Sequence, residues 1–350
     1  MAETMRAALL MRPGQIEIYD VPVPEPGEGE VLVRVRAVGI CGSDIHFFAG
    51  HVQKETEFPL VLGHEFAGEV TALGPGVEGV ELRARVACAP DRPCGKCEWC
   101  RKGETNVCPN VRFAASHGEP GCLSEYCVVH ASQLYRMAQS LEFDEAALFE
   151  PMATGLHIVE NLVKPRGGES YAIMGAGPDG LTALCTARRN GAAAVYVSDL
   201  VPERLEAAVK MGADEVCNAR DQDFIEFLLE RTRGRGVDVA IEAAGAVPAI
   251  QQVFLATAIH GRAVVLGIPR QDTLEINLTA ARRRELTFIA ARRTVGKYAR
   301  ALEYIEKGWL DTGVMITHRF PLDRAQEAFE LARDRRDGVL KAMIVPQAVR

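Results

Sequence analysis

A chain of 350 residues exceeds the ~100–200 residues of one ordinary domain, so two domains are expected. With 48% hydrophobic and 25% charged residues, and Gly 32 and Pro 18 near average, the composition excludes disorder and fibrous repeats. A net charge of −7 and only short basic runs argue against a general nucleic-acid binder, and no stretch reaches the ~18 apolar residues of a membrane helix.

Glu3 stands early in an N-terminus without a long apolar segment, so no signal peptide is read and the expected compartment is cytoplasmic. Two short strands are expected between Arg6 and Tyr19, joined at Arg12-Pro13-Gly14. An acidic Pro/Gly turn over 23–30 then leads into a strand from Val31 to Val38 with one wetter face. Gly39 breaks it and Cys41 follows, so a ligand there is held by the sheet behind it. Further strands at Phe66 to Gly74, Arg85 to Ala89 and Ser124 to Val129 make the first third a β-rich, partly barrel-like domain. Glu142 to Leu148 reads as a helix, Glu150 before Pro151 as a break, and Met152 to Val163 as a resumed helix at the domain junction.

From Ser170 the pattern alternates. Strands at Tyr171 to Met174, Val195 to Asp199, Val216, Val237 to Ile241 and Ala263 to Leu266 are spaced by helices at Leu181 to Arg189, Pro202 to Met211, Phe224 to Arg231 and Pro248 to Ala258. That is the pattern of a parallel sheet covered on both faces. Arg282-Arg283-Arg284 reads as a solvated face. The tail holds a helix from about Tyr298, a strand near Met315 to Phe320, a helix over Asp323 to Arg333 and a last strand, Lys341 to Val345.

Three constellations carry chemistry. The turn Gly175-Ala176-Gly177-Pro178-Asp179-Gly180 follows a strand and opens a helix, with Asp199 nineteen residues after Gly180. Its glycines let the backbone approach a pyrophosphate at a helix N-terminus, where free N–H groups favour anions. Asp199 is expected to accept from the adenosine ribose hydroxyls and repel a 2′-phosphate, which favours NAD over NADP.

The run Cys94-x2-Cys97-x2-Cys100-x7-Cys108 can close a tetrahedron of thiolates around a structural zinc. A pair of disulfides is the duller alternative, disfavoured without export. A zinc knuckle touching nucleic acid is disfavoured by the balance of Arg92, Lys96, Arg101 and Lys102 against Glu98 and Glu104. The scattered Cys88, Cys122, Cys127, Cys185 and Cys217 read as small buried apolar residues.

The third constellation is Cys41-Gly42-Ser43-Asp44-Ile45-His46, followed after a loop by Gly63-His64-Glu65. A thiolate, an imidazole and a carboxylate hold zinc with a fourth position open to substrate, the arrangement of a catalytic site.

Together with Gly121 to Tyr126, Glu150-Pro151 and Ile316 to Phe320, these motifs resemble the zinc-dependent medium-chain dehydrogenase/reductase (alcohol dehydrogenase) family over nearly the whole length. Glu65 and the Glu150-Pro151 pair are similar to its polyol branch of sorbitol and xylitol dehydrogenases; threonine 3-dehydrogenases and butanediol dehydrogenases look similar as well. The resemblance implies an α/β fold in which a β-rich GroES-like catalytic domain, residues 1–155 with a structural zinc lobe at about 90–110, precedes a Rossmann NAD-binding domain over 156–294. Residues 295–350 return to the catalytic domain, and the ligands lie in the cleft between the two.

It also implies that Cys41, His64 and a carboxylate hold one catalytic zinc, with Glu65 favoured over Glu150 as the direct ligand. Cys94, Cys97, Cys100 and Cys108 then hold one structural zinc. Gly175, Gly177, Pro178, Gly180, Asp199 and Arg204 are assigned to NAD. Glu150 then reaches the zinc through water, and Ser43 and His46 match positions that relay the substrate proton to solvent. Phe47 and Phe48 are expected at the substrate, with aromatic core as the alternative reading, and Arg293 lies near a substrate-contacting arginine of the polyol branch, with Tyr298 at a compatible offset. The implied reaction is oxidation of a secondary alcohol in a polyol or sugar-derived substrate, by a homotetramer or dimer. A threonine- or butanediol-type substrate and a catalytically silent zinc/nucleotide-binding protein are the alternatives. Three positions depart from the family pattern: Arg83 where a glycine is usual, Asp179 where an apolar residue is usual, and Gly296 where the polyol branch has asparagine.

Overall fold

The computed structural model describes residues 3–51, 58–116 and 118–346. The chain divides into two compact units: Met1–Glu150 with Tyr298–Gly308 and Ile316–Arg350, and Pro151–Lys297 with Trp309–Met315.

The first unit is built on a seven-stranded sheet. Its order is Leu134–Arg136, Arg85–Cys88, Glu65–Leu73, Glu30–Gly39, Lys341–Val345 and Ile316–Pro321, with Tyr126–His130 also pairing to Glu30–Gly39. A three-stranded sheet joins Gln15–Pro22, Thr4–Arg12 and Leu60–Val61. Val31, Val33, Val35 and Val38 of the Glu30–Gly39 strand enter a core with Phe66, Val70, Val86 and Phe329, while Arg34 and Arg36 remain half-exposed. This is the wetter face expected from the alternation. Arg83 occupies the departing position with φ +65° and donates its N–H to Val70 O at 2.7 Å, so a left-handed turn that suits glycine is made by an arginine.

The second unit holds a wholly parallel six-stranded sheet in the order Glu215–Asn218, Ala194–Asp199, Ser170–Met174, Val237–Glu242, Thr257–Val265 and Thr287–Ala290. The strand order reverses between Ser170–Met174 and Val237–Glu242, the switch point at which doubly wound sheets take ligands. A GroES-like domain and a Rossmann domain are therefore both present.

Several local expectations need correction. The break falls at Leu148, and Glu150-Pro151 lies inside the helix Phe149–Leu156, because proline in a first helical turn forfeits no hydrogen bond. The helix continues as a π-helical segment, His157–Val163. Of the arginine run, Arg282 and Arg283 are exposed, but Arg284 is half-buried and donates to the carbonyls of Phe254, Leu255 and Thr257. It satisfies the C-terminal carbonyls of the helix Val247–Ala256. The helix Leu278–Arg283 and the edge strand Thr287–Ala290 lack a sequence pattern strong enough to announce them.

His157 is buried, with Nδ1 accepting from Asn161 Nδ2 at 3.0 Å. Burial and the Lys297 ammonium push its pKa down to about 4 from 6.5. The folded imidazole stays neutral while the unfolded one takes up a proton. Stability is therefore intact above 6.5, declines as pH falls toward 4, and has lost about 3 kcal/mol below that value. Urea midpoints measured across this range should show the decline in the native protein, and His157→Gln should flatten it; an unchanged slope would assign it elsewhere.

Candidate metal centre and cofactor turn

Cys41 is placed by the sheet and by a short helix at once: it lies two residues beyond the strand Glu30–Gly39 and is the N-cap of Gly42–Phe48. Glu65 opens the next strand, in register with Gly39, and His64 directly precedes it. Gly63, at φ +89°, turns the chain into that position. The ligand atoms of Cys41, His64 and Glu65 all lie within 4.8 Å of one another. Glu150, 9% exposed, is not part of this group.

Asp44 organises the cluster from below. Fully buried, it accepts from the N–H groups of Cys41 at 3.0 Å and Gly63 at 3.1 Å. Its Oδ1 faces the buried His64 Nδ1 at 3.4 Å. Burial opposes the Asp44 charge, but His64 and the two N–H donors hold its pKa below the ordinary carboxylate value. Burial likewise opposes a charged His64, yet Asp44 and Cys41 hold its pKa well above ordinary. A half-buried thiol with a buried imidazole and carboxylate, supported by backbone and by the Asp44 carboxylate behind them, suits a zinc ion in donor type and in outer support. Sequence reasoning gave no role to Asp44, although it lies within the quoted motif.

Ser43 and His46 are half-buried on the helix Gly42–Phe48. The two phenylalanines separate: Phe48 is fully buried and packs on Phe329 at 5.4 Å, so it is core and not a substrate contact, while Phe47 is half-buried at the edge of the same core. Tyr298 is also committed, its buried hydroxyl donating to Asp91 at 2.6 Å. Arg293 is half-buried with φ +53°.

In the lobe, the paired strands Asp91–Arg92 and Arg112–Phe113 bring the cysteine segment's ends together. Cys94 and Cys100 Sγ are 4.0 Å apart, and Cys97 and Cys108 Sγ 3.8 Å. A zinc tetrahedron with bonds of about 2.3 Å has edges of about 3.8 Å, so the spacing fits that ion and no disulfide is formed among the described residues. The N–H groups of Lys96 and Cys97 push the Cys94 pKa down to about 6, whereas burial and neighbouring thiols push Cys100 up to about 12. Crowded thiolates repel, and a divalent cation offsets them. The other five cysteines are all buried.

In the second unit, Gly175 has φ +106° and a side chain at Gly180 would overlap Gly175 O. Gly177 is the N-cap of the helix Pro178–Arg189; a Cβ there would meet nothing nearer than Arg204 Nη1 at 3.8 Å, which leaves the turn open to an anion. Asp179 stands in the helix's first turn. Asp199 closes its strand and accepts from Ala176 N at 2.7 Å, Leu200 N at 2.7 Å and Val201 N at 2.9 Å. It therefore ties the glycine turn to the neighbouring strand end.

The chain matches the alcohol dehydrogenase GroES-like domain over residues 27–139 and the zinc-binding dehydrogenase domain over 179–307. It is 37% identical to the sorbitol dehydrogenase of Bacillus subtilis over 98% of both chains. The chain belongs to the zinc-dependent medium-chain alcohol/polyol dehydrogenases. As such a dehydrogenase it is an oxidoreductase that uses zinc and NAD(P). This dehydrogenase is also 36% identical to the L-threonine 3-dehydrogenase of Pyrococcus horikoshii, over 98% of its own length and 100% of the relative's. A zinc-binding dehydrogenase of Sinorhizobium meliloti 1021, solved with NADP, superposes with a TM-score of 0.91 at 31% identity, covering 98% of this chain and all of the other.

Proposed function

We propose that this dehydrogenase oxidises a secondary alcohol of a polyol or sugar-derived substrate to the ketone with NAD. The observation that carries the reading is the Cys41, His64 and Glu65 cluster, a one-thiol centre with a carboxylate beside the histidine, in a chain 37% identical to a sorbitol dehydrogenase. Cys41, His64 and Glu65 hold the catalytic zinc, and Cys94, Cys97, Cys100 and Cys108 a structural one. Zinc, when bound, supplies Lewis acidity that eases loss of a hydroxyl proton, and the nicotinamide accepts the hydride. Ser43 takes the substrate's hydroxyl proton and passes it to His46, which exchanges it with solvent. Glu150, Phe47 and Arg293 contribute to substrate orientation. Gly175, Gly177, Pro178 and Gly180 present backbone to the pyrophosphate, and Asp199 with Arg204 receives the adenosine ribose.

Preference for NAD over NADP rests on the Asp199 charge, which a 2′-phosphate would meet. Phe288, 55% exposed on the edge strand Thr287–Ala290, supports a homo-oligomer, dimer or tetramer, which light scattering would detect. Among the described residues no helix is long and apolar enough to cross a membrane, and a cytoplasmic enzyme is the reading we favour. Oxidation of threonine is the second reading, favoured by the 36% identity to a threonine 3-dehydrogenase.

The test is NADH formation by zinc-replete enzyme on a panel of polyols, sugar acids, butanediol and threonine, with a chelated sample alongside. Chelator-sensitive turnover on a polyol, at least about tenfold above threonine in kcat/KM, is the expected result, a gap of about 1.4 kcal/mol in transition-state binding. Turnover on threonine alone would replace the polyol reading with the second one.

A further inference from the structure

Lys341 is a charged residue in the middle of a protein core. It opens the strand Lys341–Val345, which pairs antiparallel with Glu30–Gly39, and it is 1% exposed. Lysines are almost never buried so completely unless paired. Its Nζ donates to Glu65 Oε1 at 2.8 Å, Glu65 Oε2 at 2.7 Å and Ile40 O at 3.1 Å. The three donors of one ammonium are thus directed at both oxygens of a proposed metal ligand and at the carbonyl next to Cys41. On the other side, a methyl group at Gly39 would overlap Glu65 Oε2, so the carboxylate is held between a lysine and bare backbone.

We infer that Lys341 is a positioning residue of the metal centre that shares the Glu65 carboxylate with the ion and thereby keeps the ion exchangeable. This rests on the reading of Cys41, His64 and Glu65 as its ligands. A carboxylate offers about four lone-pair sites, so Glu65 can serve the ammonium and an ion together. The charge count sets the direction of the effect. A thiolate, a carboxylate, a neutral imidazole, the buried Asp44 carboxylate behind it and a divalent ion sum to −1; Lys341 brings the centre to zero. The Glu65 charge is already offset before an ion arrives, so the ion gains less from it. Removing the ammonium leaves a buried carboxylate that only the ion can neutralise. Loss of an outer partner ordinarily weakens a metal site. Here the sign is reversed, and the ion is held more tightly.

The measurement is zinc release from the holoenzyme into excess metallochromic chelator. The phase belonging to this centre is the one lost in Cys41→Ser. Lys341→Met should slow that phase about tenfold, and the same substitution in a Glu65→Gln background should leave it unchanged, because the carboxylate being shared is then gone. A wild-type or faster rate in Lys341→Met overturns the inference while leaving the ligand reading intact. Absence of any phase lost in Cys41→Ser overturns both. If Lys341→Met does not fold, Lys341→Gln, which keeps an N–H donor without the charge, should show the same slowing. Failure of both to fold in zinc-replete medium also overturns it, since the bound ion is inferred to compensate Glu65.

Discussion

Cys41→Ser should lower kcat/KM by at least about a thousandfold while leaving circular dichroism unchanged, and zinc content should fall by one ion per chain. The size follows from losing the several kcal/mol of Lewis-acid stabilisation that a correctly held ion supplies. A serine hydroxyl, unlike a thiol, is not ionised by zinc binding under ordinary conditions and is a poor ligand. The fold should survive because Cys41 is the N-cap of Gly42–Phe48, a position where serine is among the preferred residues. Retained activity with one zinc missing would remove the proposed mechanism altogether.

Asp199→Ala should weaken NAD binding by at least about tenfold and reduce the preference for NAD over NADP by about a hundredfold, because a juxtaposed like charge is worth several kcal/mol. It should also lower stability by about 2 kcal/mol, since the N–H groups of Ala176, Leu200 and Val201 lose their shared acceptor. The two effects separate by measurement: cofactor titration reads the first, and urea unfolding without cofactor reads the second. A stability loss with unchanged NAD/NADP preference would make Asp199 a turn organiser only. The comparison is pointed because a structure of similar fold was solved with NADP.

Much of this molecule is local in sequence and could be read there. The glycine turn is an example: Gly175 needs a positive φ and Gly180 has no room for a side chain. Both requirements are met within six residues, and a pattern that short leaves its mark on the chain. The cysteine lobe is legible for the same reason, its four thiols lying within fifteen residues. The helix break was misplaced at Glu150 because a residue before proline is restricted in general, whereas a first helical turn is the place where that restriction costs nothing. Of the two readings open for Phe47 and Phe48, substrate contact and aromatic core, Phe48 takes the second, because a helix of seven residues has both a core face and an outer face and adjacent phenylalanines occupy different ones.

What the sequence alone determined, then, is the division into a β-rich and a βα part, the nucleotide turn and the chemistry of the metal-binding residue types. The tertiary structure decided which carboxylate stands beside Cys41 and His64, and what else touches it. Along the chain Glu65 is favoured over Glu150 without a contact to decide it, and the pairing of Glu65–Leu73 with Glu30–Gly39 is what brings Glu65 to Cys41. Lys341 lies 276 positions from Glu65, and no periodicity connects them. Charge compensation in a core depends on distance in space, and the distance is set by the pairing of Lys341–Val345 with Glu30–Gly39, two strands from opposite ends of the chain.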